Sequence, residues 1–230
     1  MSRLRISAGF TAAFVALAVL VHAGVFHGLD QYAVAHWMPW LRPSHEPFVS
    51  FWRLLVPRVQ HPWEKTVLNV WVWPASVAVS GLVVLAAARR LGLRIVALWV
   101  VVNAVEVAGK LVVSRPALFT RGGVHVTGFD HSLPSGHTLR SLVVALALAS
   151  ISRRGRLAFV WAVTVPVSLV VTGDHVPTDV VAAALLFVAA AAALRPWAGS
   201  AAEAAASAPA AASAARAPRA RGRGVRRGGP

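Results

Sequence analysis

Six apolar runs, separated by short polar breaks, organise the chain. They cover residues 6–26, 66–88, 93–113, 138–152, 157–172 and 179–194. About 20 apolar residues span the hydrocarbon core of a bilayer as a helix. The first three runs reach that length, and the last three are shorter. The pattern therefore predicts an all-α fold, a polytopic membrane helix bundle of about six transmembrane helices. Pro74 falls inside the second run, which a membrane helix tolerates. The first run follows Arg3 and Arg5, and His22-Ala23-Gly24 near its end offers the small residues of a secretory leader. Its apolar stretch is long for a leader core, so it is read as a retained anchor.

The polar breaks set the orientation. With the N-terminus cytoplasmic, Arg3, Arg5, Arg89, Arg90, Arg94, Arg153, Arg154, Arg156, Arg195 and six tail arginines fall inside. That is 15 of the 23 Lys and Arg residues, as the positive-inside rule requires. Only Glu203 of the eight acidic residues joins them. All nine His fall on the outer side. The chain is thus expected in the cell membrane, with both termini cytoplasmic. Residues 1–198 form the membrane domain in this reading. Residues 30–65 carry Trp37, Trp40, Trp52 and Trp63 among Arg, His and Pro, which suits an interfacial stretch. The tail, residues 199–230, is rich in Ala, then in Arg and Gly, and is read as disordered. Its arginines suit anionic headgroups on the inner face.

Composition agrees with the pattern and changes one reading. The chain is 57% hydrophobic and carries a formal +15. Such a charge on a soluble domain would point to nucleic acid. Here it is mainly a topology signal, and a mean hydropathy of +0.64 argues against a soluble domain. The absence of Cys excludes a disulfide scaffold, a zinc ribbon, an iron–sulfur site and a thiol nucleophile. No carboxylate cluster suggests a metal site.

Three polar clusters land on the outer side. The first is Lys110-Leu-Val-Val-Ser-Arg115-Pro116, at the outer end of the third run. Lys110 follows Glu106 by one helical turn, and an ion pair within a membrane helix is a functional signal. Lys110 alternatively snorkels outward as an anchor. The second cluster is Pro134-Ser135-Gly136-His137, before the fourth run. Ser135 or Gly136 reads as a helix cap. The free N–H groups of such a helix start bind anions. The third is His175-Val-Pro-Thr-Asp179, before the sixth run. An Asp one turn from a His fixes the imidazole tautomer and leaves the other nitrogen as a nucleophile or base. Each cluster alone has a plain structural reading, as a cap, a loop His or an anchor.

Together they resemble the type-2 phosphatidic acid phosphatase superfamily, the membrane lipid phosphate phosphatases. The family pattern is Lys-x6-Arg-Pro, then Pro-Ser-Gly-His, then Ser-Arg-x5-His-x3-Asp. The middle motif is intact. The first reads Lys-x4-Arg-Pro, with Ala117 at the family's arginine position. The third has Leu169 after Ser168 where the family has arginine. Arg115 is a shifted candidate for one missing arginine, and Arg140 and Arg121 are candidates to supply the lost charge.

The resemblance implies a metal-independent phosphoric monoester hydrolase without cofactor. In it His175 attacks phosphorus, Asp179 orients His175, and His137 is the general acid. Lys110, Arg115, Ser135 and Gly136 hold the phosphate. The implied substrate is a lipid phosphate or polyprenyl (pyro)phosphate in the bilayer, reached from the extracytoplasmic face. Two rivals remain open: a weak or inactive lipid-binding protein on the same fold, and a transporter. Nearly pure Ala, Val and Leu in the inner halves of the runs count against the transporter.

Overall fold

The computed structural model describes residues 3–38 and 70–194. The expected tail, Trp40, Trp52 and Trp63, and residues 66–69 of the second run lie outside the described residues. Seven α-helices are described: α1 (Arg3–His22), α2 (His27–His36), α3 (Val77–Leu91), α4 (Leu93–Val112), α5 (Gly136–Ile151), α6 (Ala158–Thr172) and α7 (Pro177–Leu194). Among the described residues there is no strand, only an isolated bridge between Phe119 and His125.

Among the described residues, four helical stretches are long and apolar enough to cross a membrane by length and composition. They are Arg3–His22, Leu93–Val112, Arg154–Thr172 and Pro177–Leu194. The expectation of about six is met by four. The other two expected spans are shorter, and local chemistry explains one of them. The second run does not form one helix. Residues 70–72 are helical, Trp73–Ala75 form a 3₁₀ turn around Pro74, and Ser76 is extended at ψ 158°. The missing N–H and fixed φ of Pro74 favour this break. Ser76 then caps a new helix, its Oγ accepting from Val79 N at 3.4 Å, and leaves α3 only 15 residues. The first run also stops early. Its helix ends at His22, and the chain turns through residues 23–26 into α2.

α5 is the hub of the bundle and packs against α3, α4, α6 and α7. Leu139, Val143 and Ala147 of α5 meet Ile95, Leu98 and Val102 of α4 and Ala183 of α7 in the main core. α7 also lies along α1, joined by Ser7 Oγ donating to Ala189 O at 3.0 Å. Its buried face is mostly small: Ala182, Ala183, Ala189, Ala190 and Ala191. Small residues let helix backbones approach closely, as membrane interfaces favour. Large apolar side chains face outward instead, among them Val19, Leu82, Leu111, Val163 and Val181. In water such a surface would be costly, and in lipid it is the expected exterior. α2 was expected to belong to an interfacial stretch. It buries Asp30, Ala33 and Val34 and exposes Leu29 and Tyr32.

Candidate active site

Two helix starts and one helix end meet at one end of the bundle. Ser135 is the N-cap of α5, its Oγ accepting from Thr138 N at 3.4 Å and from Thr138 Oγ1 at 3.0 Å. A Ser cap satisfies one of the orphan N–H groups of the first turn. Ser135 N donates to Asp179 O at 3.1 Å, which ties the start of α5 to the first turn of α7. Pro177 opens α7, where its missing N–H costs nothing. The intact Pro-Ser-Gly-His motif and the His-Val-Pro-Thr-Asp motif are therefore direct neighbours.

His175 lies two residues before α7 and is buried. Its backbone N donates to Leu169 O at 3.2 Å. Its Nδ1 faces Asp179 Oδ2 at 3.0 Å, and Asp179 is fully buried. With Nδ1 engaged, the tautomer is set and Nε2 keeps a lone pair for nucleophilic or base chemistry. His137 stands in the first turn of α5, half-buried, and interacts electrostatically with His175, Lys110, Arg140 and Glu106. The Ser135 N–Asp179 O bond thus sets the segments that carry the two imidazoles side by side.

Lys110 ends α4 beside this pair. Its Nζ donates to Glu106 Oε1 at 2.7 Å, and its side chain is about one-third exposed, 34%. Gly136 lies directly on the Glu106 carboxylate, where any Cβ would collide with it. That close approach accounts for glycine at the first residue of α5.

The two arginines read as phosphate contacts have other employment. Arg115 is buried and donates from Nη1 to Asp30 Oδ2 at 2.8 Å and to Thr178 Oγ1 at 3.1 Å. Its Nη2 forms a short ion pair with Asp179 Oδ1. It thus sits behind Asp179, on the side away from His175. Arg140 is also buried. Its Nε donates to Ala75 O at 2.7 Å, and its Nη1 to Asn103 Oδ1 at 2.9 Å and Glu106 Oε2 at 2.6 Å. Arg121 lies exposed in the turn after Thr120. Leu169, at the family's arginine position, packs with Val72, Val165 and Trp161 in an apolar cluster. Ala117 is half-buried in the loop that follows Arg115. Among the described residues no group of three or more His, Asp and Glu side chains converges to hold a metal ion.

Sequence reasoning missed Asp30 and Thr178. Asp30 is buried on α2 and takes Thr178 Oγ1 at 2.6 Å besides Arg115. Burial pushes its carboxyl above the usual range, against the downward pull of Thr178 and Arg115. One signal was present in the sequence. Asp30 shares a helical face with Ala33 and Val34, the stripe that buries.

No curated protein and no solved structure matches the chain. Residues 91–202, which hold all three polar clusters, match the PAP2 superfamily, the type-2 phosphatidic acid phosphatase superfamily that the motifs resemble.

Proposed function

We propose that this chain is an integral-membrane phosphatase that hydrolyses a lipid phosphate or polyprenyl (pyro)phosphate monoester at the outer membrane face. The superfamily generally comprises phosphatases acting on phosphate esters. The observation that carries the reading is the His175 Nδ1–Asp179 Oδ2 pair at 3.0 Å, with His137 as its neighbour on the adjoining helix start.

In this reading His175 Nε2 attacks the terminal phosphorus, and the bond to the leaving oxygen breaks, an alcohol oxygen in a phosphate monoester and the bridging oxygen of the departing polyprenyl phosphate in a pyrophosphate. His137 donates a proton to that oxygen, and an N–P bond on His175 holds the phosphoryl group. Neutral His137 then takes a proton from water, whose oxygen attacks phosphorus and releases His175 and inorganic phosphate. Asp179 orients His175 and balances its positive charge in the intermediate. Lys110, Ser135 and the Gly136 N–H hold the non-bridging oxygens, helped by the positive end of α5. Phosphoryl transfer depends mainly on positioning and charge stabilisation, which these groups supply. Arg115 contributes through Asp179. Arg121 remains a candidate for direct contact. The bilayer brings the substrate. The apolar exterior of the helices and the arginine distribution support an extracytoplasmic site.

The test is phosphate release by the purified protein from phosphatidic acid, phosphatidylglycerol phosphate and polyprenyl pyrophosphate, beside His175→Ala. Release by wild type alone supports the proposal, and equal release by both refutes it. A second reading, lipid-phosphate binding without turnover, draws on Ala117, Leu169 and the protein partners of Arg115 and Arg140. Of the three cations, Lys110 has the accessible side chain, 34% exposed against 3% for Arg115 and 2% for Arg140. Saturable binding of these lipids without phosphate release would favour it.

A further inference from the structure

Asp30 lies outside the matched segment and outside all three polar clusters, yet it closes a buried chain of charges. Asp30 Oδ2 accepts from Arg115 Nη1 at 2.8 Å, Arg115 Nη2 pairs with Asp179 Oδ1, and Asp179 Oδ2 meets His175 Nδ1 at 3.0 Å. Asp30, Arg115 and Asp179 are 2%, 8% and 0% exposed. Thr178 bridges the two carboxylates' helices. Its Oγ1 donates to Asp30 Oδ2 at 2.6 Å, its N–H points at Asp30 Oδ1 at 3.4 Å, and Arg115 Nη1 reaches its Oγ1.

The chain fold delivers Asp30 to this place deliberately. Gly24 turns the backbone out of α1 at φ +77°, a region that L side chains rarely adopt. A Cβ there would come within 3.0 Å of Pro116 Cγ, the residue after Arg115. The α1–α2 turn is thus seated on the arginine's own loop. Ala33 and Val34 then pack with Leu118, Phe129 and Val176, around the loops that carry Arg115 and His175.

The charges decide what Asp30 does. Buried ion groups are costly to desolvate and must be closely compensated. With Asp30 held ionised by Arg115 and Thr178, Asp30 and Asp179 each contribute −1 and Arg115 +1, so the three present a net −1 behind His175. Without Asp30, Arg115 would cancel Asp179, and no net negative charge would face the imidazole as it turns cationic. We infer that Asp30 is a positioning residue for the histidine nucleophile, holding Arg115 so that the Asp179 carboxylate stays aimed at, and charged for, His175. This rests on the phosphatase reading above.

Asp30→Asn keeps the shape and one acceptor oxygen but removes the charge. Thr178→Val keeps the shape and removes the hydroxyl that fixes Asp30. Both are assayed in detergent by single-turnover and steady-state phosphate release, with thermal midpoints, alone and in an Asp179→Asn background. The expected result for Asp30→Asn is a kcat about tenfold lower, a coupling of the size found between contacting charged groups. KM should change less than twofold, because the phosphate-holding groups are untouched. Thr178→Val should lose kcat in the same sense, by a smaller factor. In the Asp179→Asn background neither change should lower the rate further, because Asp30 acts through Asp179. Wild-type kcat in folded Asp30→Asn overturns the inference, and so does an equal loss in the Asp179→Asn background. If Asp30→Asn does not fold, Thr178→Val decides by the same two criteria. Failure of the phosphatase reading is distinguishable, because wild type would then release phosphate no faster than His175→Ala. That result would overturn both.

Discussion

Arg140→Ala separates two roles that the position of Arg140 allows. One turn after His137, an arginine is placed to contact a phosphate. Its observed partners give it a structural role instead. Three hydrogen bonds hold it, to Ala75 O at 2.7 Å, Asn103 Oδ1 at 2.9 Å and Glu106 Oε2 at 2.6 Å. Bonds to neutral acceptors contribute about 1 kcal/mol each, and the charge-assisted bond about 1.5–3 kcal/mol. The loss is about 4 kcal/mol, in line with the roughly 3–5 kcal/mol for breaking a buried ion pair. Glu106 would keep only Lys110. By the usual relation between stability and melting in domains of this size, the midpoint should fall by roughly 6–20 °C. The assay is thermal unfolding in detergent, beside phosphate release at a temperature where the variant is folded. An Arg140→Met, Glu106→Gln double variant should recover part of the loss, since an apolar replacement of a buried pair is often tolerated. A wild-type midpoint with kcat reduced 10²-fold or more would refute the structural role and return Arg140 to the phosphate.

Asp179→Asn should lower kcat by roughly 10²–10⁴-fold, as loss of a histidine's orienting carboxylate does in hydrolytic triads, measured by phosphate release. Lys110→Met should lower kcat/KM by roughly 10²–10³-fold, the usual cost of one transition-state donor. Its thermal midpoint should stay near wild type, since Glu106 retains Arg140. Gly136→Ala should destabilise by at least about 1–3 kcal/mol, because its methyl would enter the space of the Glu106 carboxylate. A wild-type melting midpoint for that variant would contradict the packing described for the start of α5.

Much of the helical layout was legible because apolar runs dictate it, and the exceptions have identifiable causes. The limits of α4 and α7 lie within two residues of those expected. Apolarity continues through Val25 and Phe26, so it does not register that the chain leaves its helix before Gly24 and turns there. Likewise it does not register that Pro74 and Ser76 divide a continuous apolar stretch, which is why the second run yields no long helix among the described residues. The Pro-Ser-Gly-His and His-x3-Asp clusters were local, and spacing alone predicted that His175 and Asp179 lie one turn apart. Their convergence with Lys110 followed from the topology. The partners of the arginines were not local. Asp30 lies 85 residues from Arg115, and Glu106 lies 34 from Arg140. No spacing rule joins such positions, and the sequence shows only that Arg115 stands in Lys-x4-Arg-Pro and that Arg140 lies one turn after His137. The structure pairs Arg115 with Asp30 and Asp179, and Arg140 with Glu106.

The most direct test is to trap the phosphorylated enzyme. Wild-type protein is mixed with a ³²P-labelled lipid phosphate, quenched in alkali within one turnover and mapped by mass spectrometry. The expected product is an acid-labile, alkali-stable phosphoryl group on His175, absent in His175→Ala and accumulating when His137→Ala slows its hydrolysis. Phosphate release without any label on His175, or label on another residue, would contradict it.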